Sequence, residues 1–332
     1  MTNISDIARE AGLSKVTVSN ILNGRNKEVW PSAIERAERV RAIARRMGYT
    51  PNAAAKAMST GRFGSIGYLS SEDPLRSFNA EMQLRGIHER LAMKKLHFTA
   101  AMVPDRRLCD AGDLPMLLRE LTADGLLIDY IQDVPPAMAD AIANSRVPAV
   151  WLNTKRDFNC VHPDDVAGSR LATQHLLSRG HTRIALALLT HSKHYSLADR
   201  IEGYSDAMVD AGLAPAVFYP DSAPASYRME IALEYLKSDE RPTAIVANGA
   251  GAALPFAYAA ASLGLSVGTD LAIVTMGGHM DVSLGFEMTT VQLPFAEVGH
   301  AAVDAVCRLV DNPDLRLDPI QITPSLLQGR TS

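Results

Sequence analysis

Lys15, Val16, Ser19 and Asn20 share one side of the segment Lys15 to Leu22, and Val18, Ile21 and Leu22 share the other. The first set offers an ammonium, a small apolar surface, a hydroxyl and an amide. Such groups read base-pair edges: asparagine bonds bidentately to adenine, lysine donates to guanine, and a small apolar side chain packs on a thymine methyl. Chemistry-bearing clusters elsewhere are sparser. His191 and His194 stand three residues apart, but no carboxylate or cysteine accompanies them at ligand spacing, so they read as a polar loop and not a metal site. Asp164-Asp165 offers a carboxylate pair, yet it also precedes a helical pattern, where acids favour the positive end of the helix dipole. Cys109, Cys160 and Cys307 are widely spaced and odd in number, which suggests neither a disulfide framework nor zinc. No phosphate loop, dinucleotide fingerprint or nucleophile elbow occurs. The expectation is therefore a protein that binds without catalysing, with no cofactor and no metal.

The elements that must position the Lys15–Asn20 groups follow from periodicity. Ile4, Ile7, Ala8 and Ala11 fall on one helix face, with Asn3 as cap and Gly12 as stop. Ser14 caps a second helix, Lys15 to Leu22. Two short helices joined by a compact glycine turn, the second with a polar outer face, make a helix-turn-helix, in which the first helix braces the second so that its N-terminal residues reach the major groove. A third helix is expected after Ser32, with Ser32 to Glu35 as a capping box. Its inner face would carry Ile34, Ala37, Val40, Ala44 and Met47, and Arg36, Arg39, Arg41, Arg45 and Arg46 would stay largely outside. Asn52 to Ser59 is a two-turn, alanine-rich helix pattern ending near Met58. A helix so short needs something packed against it, and an apolar wedge at its end suits insertion between base steps; a plain linker is the other reading of this stretch.

Charge divides the chain in the same place. Residues 1–62 hold 11 Lys and Arg against 5 Asp and Glu, whereas the rest of the 332 residues hold 22 against 32. A basic head on an acidic body points to a polyanion at the head. No run of about 18 apolar residues is present, which excludes a membrane helix, and the polar start, Met1 to Asp6, does not read as a signal peptide, so a cytoplasmic location is expected.

Beyond residue 63, short apolar runs alternate with helical patterns. Strands are expected at 65–69, 97–102, 125–129, 149–152, 183–188, 244–247 and 271–275. Helices are expected at 79–94, 111–123, 135–144, 165–179, 197–211, 226–237, 251–263 and 295–311. Such alternation means parallel sheets wrapped by helices, and the number of units calls for two α/β lobes with a cleft at the strand C-termini. An α/β enzyme would show the same pattern, so an enzyme or other small-molecule-binding protein with a fused DNA-binding head remains the alternative.

Residues 4–23 and the run Gly48-Tyr49-x-Pro51-Asn52-x-x-Ala55-Lys56 resemble the head of the lactose-repressor (LacI/GalR) family of bacterial transcription regulators. The resemblance continues through Gly168 to Gly180-His181-x-x-Ile184-Ala185, Arg200-x-x-Gly203-Tyr204, Arg241-Pro242-Thr243-Ala244-Ile245 with Ala247-Asn248, Thr289-Thr290-Val291, and the closing Leu326 and Arg330-Thr331-Ser332. It implies three parts: a DNA-binding domain over 1–50, a hinge helix over 51–62, and a periplasmic-binding-protein-like effector and dimerisation domain over 63–332. It implies that Lys15, Val16 and Asn20 read bases, that Thr17 and Ser19 make phosphate or supporting contacts, and that Asn52, Ala55 and Met58 belong to a hinge helix in the minor groove, with Met58 at the intercalating position. It also implies Arg200 and Asn248 as effector ligands and Phe78 as an aromatic stacked on the ligand, with Asn153, Ser196, His162 and Tyr195 as weaker candidates.

Three departures stand out. The segment from Gly24 to Gly48 is about four residues longer than usual for the family. Gly249 follows Asn248 where the family commonly has aspartate. Thr275-Met276-Gly277-Gly278 replaces a Gly-aromatic-Asp-Asp pattern, so a carboxylate that grips sugar hydroxyls is missing at Gly277, with His279 or Asp281 as candidate substitutes. The expected partners are palindromic double-stranded operator DNA, a carbohydrate-like effector and a second copy of the chain, and the expected role is repression.

Overall fold

The computed structural model describes residues 2–23, 30–50, 61–78, 80–105, 122–145, 147–189, 193–220 and 227–332. The chain divides into two compact units, Met1–Phe63 and Gly64–Ser332. Asn52, Ala55 and Met58, residues 111–121 of the helix expected over 111–123, and His191 lie outside the described residues, and residues 122–123 are not helical.

The first unit holds α1 (Ile4–Ala11), α2 (Lys15–Leu22) and α3 (Pro31–Arg46). Asn3 and Asp6 close a capping box on α1, and Gly12 ends it at φ 66°. Ser14 caps α2 by accepting from Thr17 N. Ile7, Ala11, Val18, Ile21, Ala37, Val40 and Ile43 form the shared core. The expected start of α3 is corrected: Pro31 opens it as the first helical residue, Trp30 is the N-cap, and no side chain caps it, so Ser32 lies inside the first turn. Ile34 is correspondingly exposed and Ile43 takes a buried place on the inner face. Not all the arginines of α3 point to solvent alone, for Arg39 donates to Ala11 O and Arg46 pairs with Glu10 at 2.6 Å.

The second unit runs β1 (Ser65–Ser71), α4 (Glu81–Lys94), β2 (His97–Val103), β3 (Gly125–Asp129), α5 (Pro136–Asn144), β4 (Ala149–Leu152), β5 (Cys160–Pro163), α6 (Asp165–Ser178), β6 (Ile184–Ala187), α7 (Ser196–Asp210), β7 (Ala216–Phe218), α8 (Arg228–Lys237), β8 (Ala244–Ala247), α9 (Ala250–Ser262), β9 (Ala272–Gly277), β10 (Thr290–Gln292), α10 (Phe295–Asp311), β11 (Ile320–Ile322) and β12 (Ser325–Leu327). Two six-stranded sheets result, ordered β11-β5-β4-β3-β1-β2 and β12-β10-β9-β8-β6-β7. All pairings are parallel except β10 with β12. The central strands are buried along their length, as sheets covered on both faces require.

The chain crosses between the lobes three times: from β5 into α6, which packs on the second sheet, from β10 into α10, which packs on the first, and from β11 to β12. Each crossing carries a proline, Pro163, Pro294 and Pro324 respectively.

Helix α10 meets α4 closely. A Cβ added at Gly86 would lie 2.1 Å from Ala296 O, and one at Gly299 would lie 2.4 Å from Gln83 O, so backbone meets backbone there. Gln83 is fully buried beside this crossing and neither polar atom of its side chain has a hydrogen-bond partner. Burying an unmet amide costs about 1–3 kcal/mol. Gln83→Leu is therefore expected to raise stability by about 1 kcal/mol, read as a higher denaturant midpoint; a lower midpoint would show that the amide contributes favourably where it lies. Among the described residues, no helix is long and apolar enough to cross a membrane, and no group of three or more His, Cys, Asp or Glu is placed to hold a metal ion.

Candidate DNA interface and effector cleft

On α2 the buried residues are Val18 and Ile21, which leaves the opposite side for contact. Lys15 is exposed, and Val16 is 69% exposed, a branched apolar side chain held in water. Thr17 lies at the first turn, its hydroxyl 2.8 Å from that of Ser14. Ser19 accepts from Asn23 through its carbonyl at 2.8 Å and its hydroxyl at 3.2 Å. Those two residues thus fix the ends of α2. Asn20 is half-buried, and its side-chain amide has no hydrogen-bond partner among the described residues. The local sequence dictates this geometry, since the Ser14 cap and the Gly12 turn set where α2 begins and the α1–α3 core sets which face is hidden.

In the second unit a cavity of about 310 Å³ opens between the lobes at the C-terminal ends of the strands. That is at the lower end of the range for small-molecule sites, roughly 300–1,000 Å³. Phe78, Asn153, Ser196, Arg200 and Asn248 all line it. Phe78 comes from the loop after β1, Asn153 from the end of β4, Ser196 and Arg200 from the first turns of α7, and Asn248 from the end of β8. His279 is exposed and is not among the lining residues, and the Asp281 carboxylate accepts from Ser283 N, so neither fills the place at Gly277.

The centre of the site is an arginine held from two sides. Arg200 donates through Nε to Asp165 Oδ1 at 2.8 Å, its Nη2 pairs with the same oxygen at 2.7 Å, and its Nη1 donates to Asn248 Oδ1. The Arg200 side chain is 11% exposed and that of Asp165 1%. Tyr195 donates to the other Asp165 oxygen at 3.1 Å and reaches Asn153 Oδ1 at 3.4 Å. Burial, and then the Asp165 charge, raise the Tyr195 phenol well above its usual range, so it stays a donor. His194 binds Asn153 O through Nε2 at 2.7 Å and Ser196 Oγ through Nδ1 at 2.7 Å. Burial lowers its pKa below the ordinary 6.5, which fits a neutral ring that donates to the carbonyl and accepts from the hydroxyl. Phe295, the first residue of α10, packs against Phe78 with ring centroids 4.8 Å apart and planes tilted by 49°, and Met276, Leu293 and Ile131 extend this apolar wall. His162 lies behind the site, buried, bonded to Pro163 O and edge-on to Tyr195.

The spacing Arg200-x-x-Gly203-Tyr204 has a physical meaning in this arrangement. A Cβ on Gly203 would sit 2.1 Å from Val166 O, so only glycine lets α7 lie against α6. That approach brings Arg200, one turn earlier, to Asp165 at the start of α6. Tyr204 then anchors the same helix through its hydroxyl to Ile184 O at 2.7 Å.

Comparison with known proteins bears on both units. Residues 3–52 match the model for bacterial regulatory proteins of the lacI family, and residues 173–332 match the model for a periplasmic binding protein-like domain. The ribose operon repressor of Escherichia coli (strain K12) is 28% identical over 346 residues, covering 99% of both chains.

The chain belongs to the lacI family of bacterial regulatory proteins.

It is accordingly a DNA-binding transcription regulator with a periplasmic-binding-protein-like effector domain. Catabolite control protein A of Priestia megaterium is 26% identical over 99% of this chain and 98% of its own. Among solved structures, the lac repressor dimer bound to operator and the anti-inducer ONPF gives a TM-score of 0.76 at 23% identity, covering 99% of this chain and 98% of that one. The CelR–cellobiose complex gives 0.64 at 22% identity over the full length of both. At those identities the likeness is one of fold. In this lacI-family chain Asp165, His194 and Phe295 join the cleft, although the sequence offered Asp165 as part of a carboxylate pair or as a helix-dipole acid, His194 as a polar loop and Phe295 as a helix start. The signal for Asp165 was its place at the start of the helix expected over 165–179. Nothing in local spacing marked Phe295.

Proposed function

We propose that this regulator is a repressor acting in the cytoplasm as a homodimer on a roughly two-fold symmetric operator, switched by a small carbohydrate or carbohydrate derivative held between its lobes. The observation that carries the DNA-binding half is the outer face of α2, where Val16 stays 69% exposed beside Lys15 and Asn20. In this reading Lys15, Val16 and Asn20 meet base edges, and Thr17 and Ser19 support them and meet phosphates. Asn52, Ala55 and Met58 supply the hinge, with Met58 as the minor-groove wedge. Paired heads follow the symmetry of the site. The observation that carries the effector half is the cavity around Arg200 and Asn248. The names of the ribose operon repressor and of the CelR–cellobiose complex support a sugar-like ligand.

The test is a binding selection against random duplex DNA at physiological salt, where specific sites stand far above nonspecific binding. An enriched two-fold symmetric site supports the reading. No enrichment, with or without candidate sugars, removes it. Within that selection, Asn20→Ala is expected to relax base preference at one position of each half-site by about 1–3 kcal/mol, and an unchanged motif would take Asn20 out of base reading.

A further inference from the structure

We infer that the effector is an anionic carbohydrate of monosaccharide size, one that carries a carboxylate or phosphate, in place of a neutral sugar. This rests on the proposed reading of the inter-lobe cavity as the effector site.

The argument is an inventory of donors and acceptors. A neutral sugar presents hydroxyl hydrogens, and a site that grips them needs acceptors, above all carboxylates. Among the described lining residues Asp165 is the one carboxylate. Its Oδ1 already accepts from Arg200 Nε and pairs with Nη2, and its Oδ2 accepts from Tyr195. Gly249, Gly277 and Gly278 also line the cavity and bring no side-chain acceptor. Gly249 cannot readily be replaced by a carboxylate residue, because its φ is +104°.

Donors, by contrast, are in surplus. Of the five N–H groups of the Arg200 guanidinium, that on Nε donates to Asp165 and one on Nη1 to Asn248, while Nη2 makes ion-pair contact with Asp165. Asn248 spends its carbonyl oxygen on Arg200, which leaves its NH2 without a hydrogen-bond partner among the described residues, on a residue that lines the cavity. Helix α9 starts at Ala250, with its N-cap Gly249 on the cleft wall and no side chain capping its first turn, so its opening N–H groups and dipole add to the donor side. An oxyanion on the ligand answers all of these at once with charge-assisted hydrogen bonds. There is room for it, since a Cβ built on Gly277 meets nothing nearer than His279 O at 3.7 Å. The Phe78–Phe295 pair and Leu293 leave an apolar wall for the C–H face of a sugar ring, and 310 Å³ suits one ring.

The test is titration calorimetry on the full chain at fixed ionic strength, with neutral aldoses (glucose, galactose, ribose), the matching aldonates and uronates, and sugar phosphates. An anionic sugar is expected to bind at least about tenfold more tightly than its neutral parent, the worth of a charge-assisted bond. Binding by the acids alone or the phosphates alone identifies the anion. Gly277→Asp, which returns a carboxylate to the cavity wall, is expected to cut that preference at least about tenfold while leaving the unfolding midpoint near that of the parent. A neutral sugar bound as tightly as its acid overturns the inference about charge and leaves the cavity as the effector site. An unaltered preference in Gly277→Asp does the same. If no sugar of any class binds either protein, the carbohydrate reading of the cavity fails, and the inference fails with it.

Discussion

Gly203→Ala is expected to destabilise the second unit by about 3 kcal/mol and to abolish effector binding. The added methyl would lie 2.1 Å from Val166 O and 3.1 Å from Arg170 N, both backbone atoms of α6 that cannot swing aside as a side chain can. Relief requires α7 to withdraw from α6. Arg200 sits one turn before Gly203 on α7, and Asp165 one residue before Val166 on α6, so the withdrawal opens contacts that are now 2.7–2.8 Å long. A hydrogen bond that lengthens by half an ångström or more loses much of its strength. The two effects should appear together: a lower denaturant midpoint and loss of ligand heat. The first unit has its own core, and nonspecific DNA affinity should persist. Wild-type affinity for an effector in the alanine variant would show that the helix crossing does not position Arg200.

Asp165→Asn is expected to cost about 3–5 kcal/mol, the price of breaking a buried ion pair from one side. Asp165 is 1% exposed and Arg200 11%, so the guanidinium would keep its charge without its counter-ion and with little water to replace it. The amide would also offer Arg200 a weaker acceptor and turn an NH2 toward Tyr195, which now donates to Oδ2. The decisive control is Asp165→Asn combined with Arg200→Gln. Removing both charges should recover a good part of the loss, giving a favourable coupling of about 1–3 kcal/mol in the double-mutant cycle. Additive losses would mean the pair acts as two independent residues and would remove it as the organiser of the site.

Much of this arrangement is legible in the amino-acid sequence alone. The α1–turn–α2 unit follows from caps and periodicity that agree with one another: Asn3, Gly12 and Ser14 each do locally what the helix positions need. The long apolar runs of β1, β3, β4 and β8 were equally plain, since a strand buried on both faces reads as a continuous hydrophobic segment. The strands that escaped notice were β5, β7, β10, β11 and β12, each three or four residues long. Segments such as Cys160-Val-His-Pro carry too little period to be told from loop, and sheet edges and crossings, not propensity, hold them in place. The start of α3 was misjudged because Ser32 and Glu35 satisfy a capping-box pattern while Pro31 serves better as a first helical residue. In the cleft, Arg200 and Asn248 came from motifs. The role of Asp165 did not, because its meaning depends on a helix–helix distance that only Gly203, far along the chain, makes possible.

The three prolines at the lobe crossings bear on what a bound effector can do. Each fixes one backbone dihedral near −65° at a point where the chain passes from one sheet to the other, and the three points connect the same two bodies. Such a joint has few soft torsions left, so it resembles a door hung on three stiff pins more than a flexible tether. Bound molecules of differing shape would then not produce differing lobe geometries; they would change how often one permitted swing is taken. A weak and a strong effector would differ in the fraction of molecules switched, and the repressed and released states would each be the same from one ligand to the next.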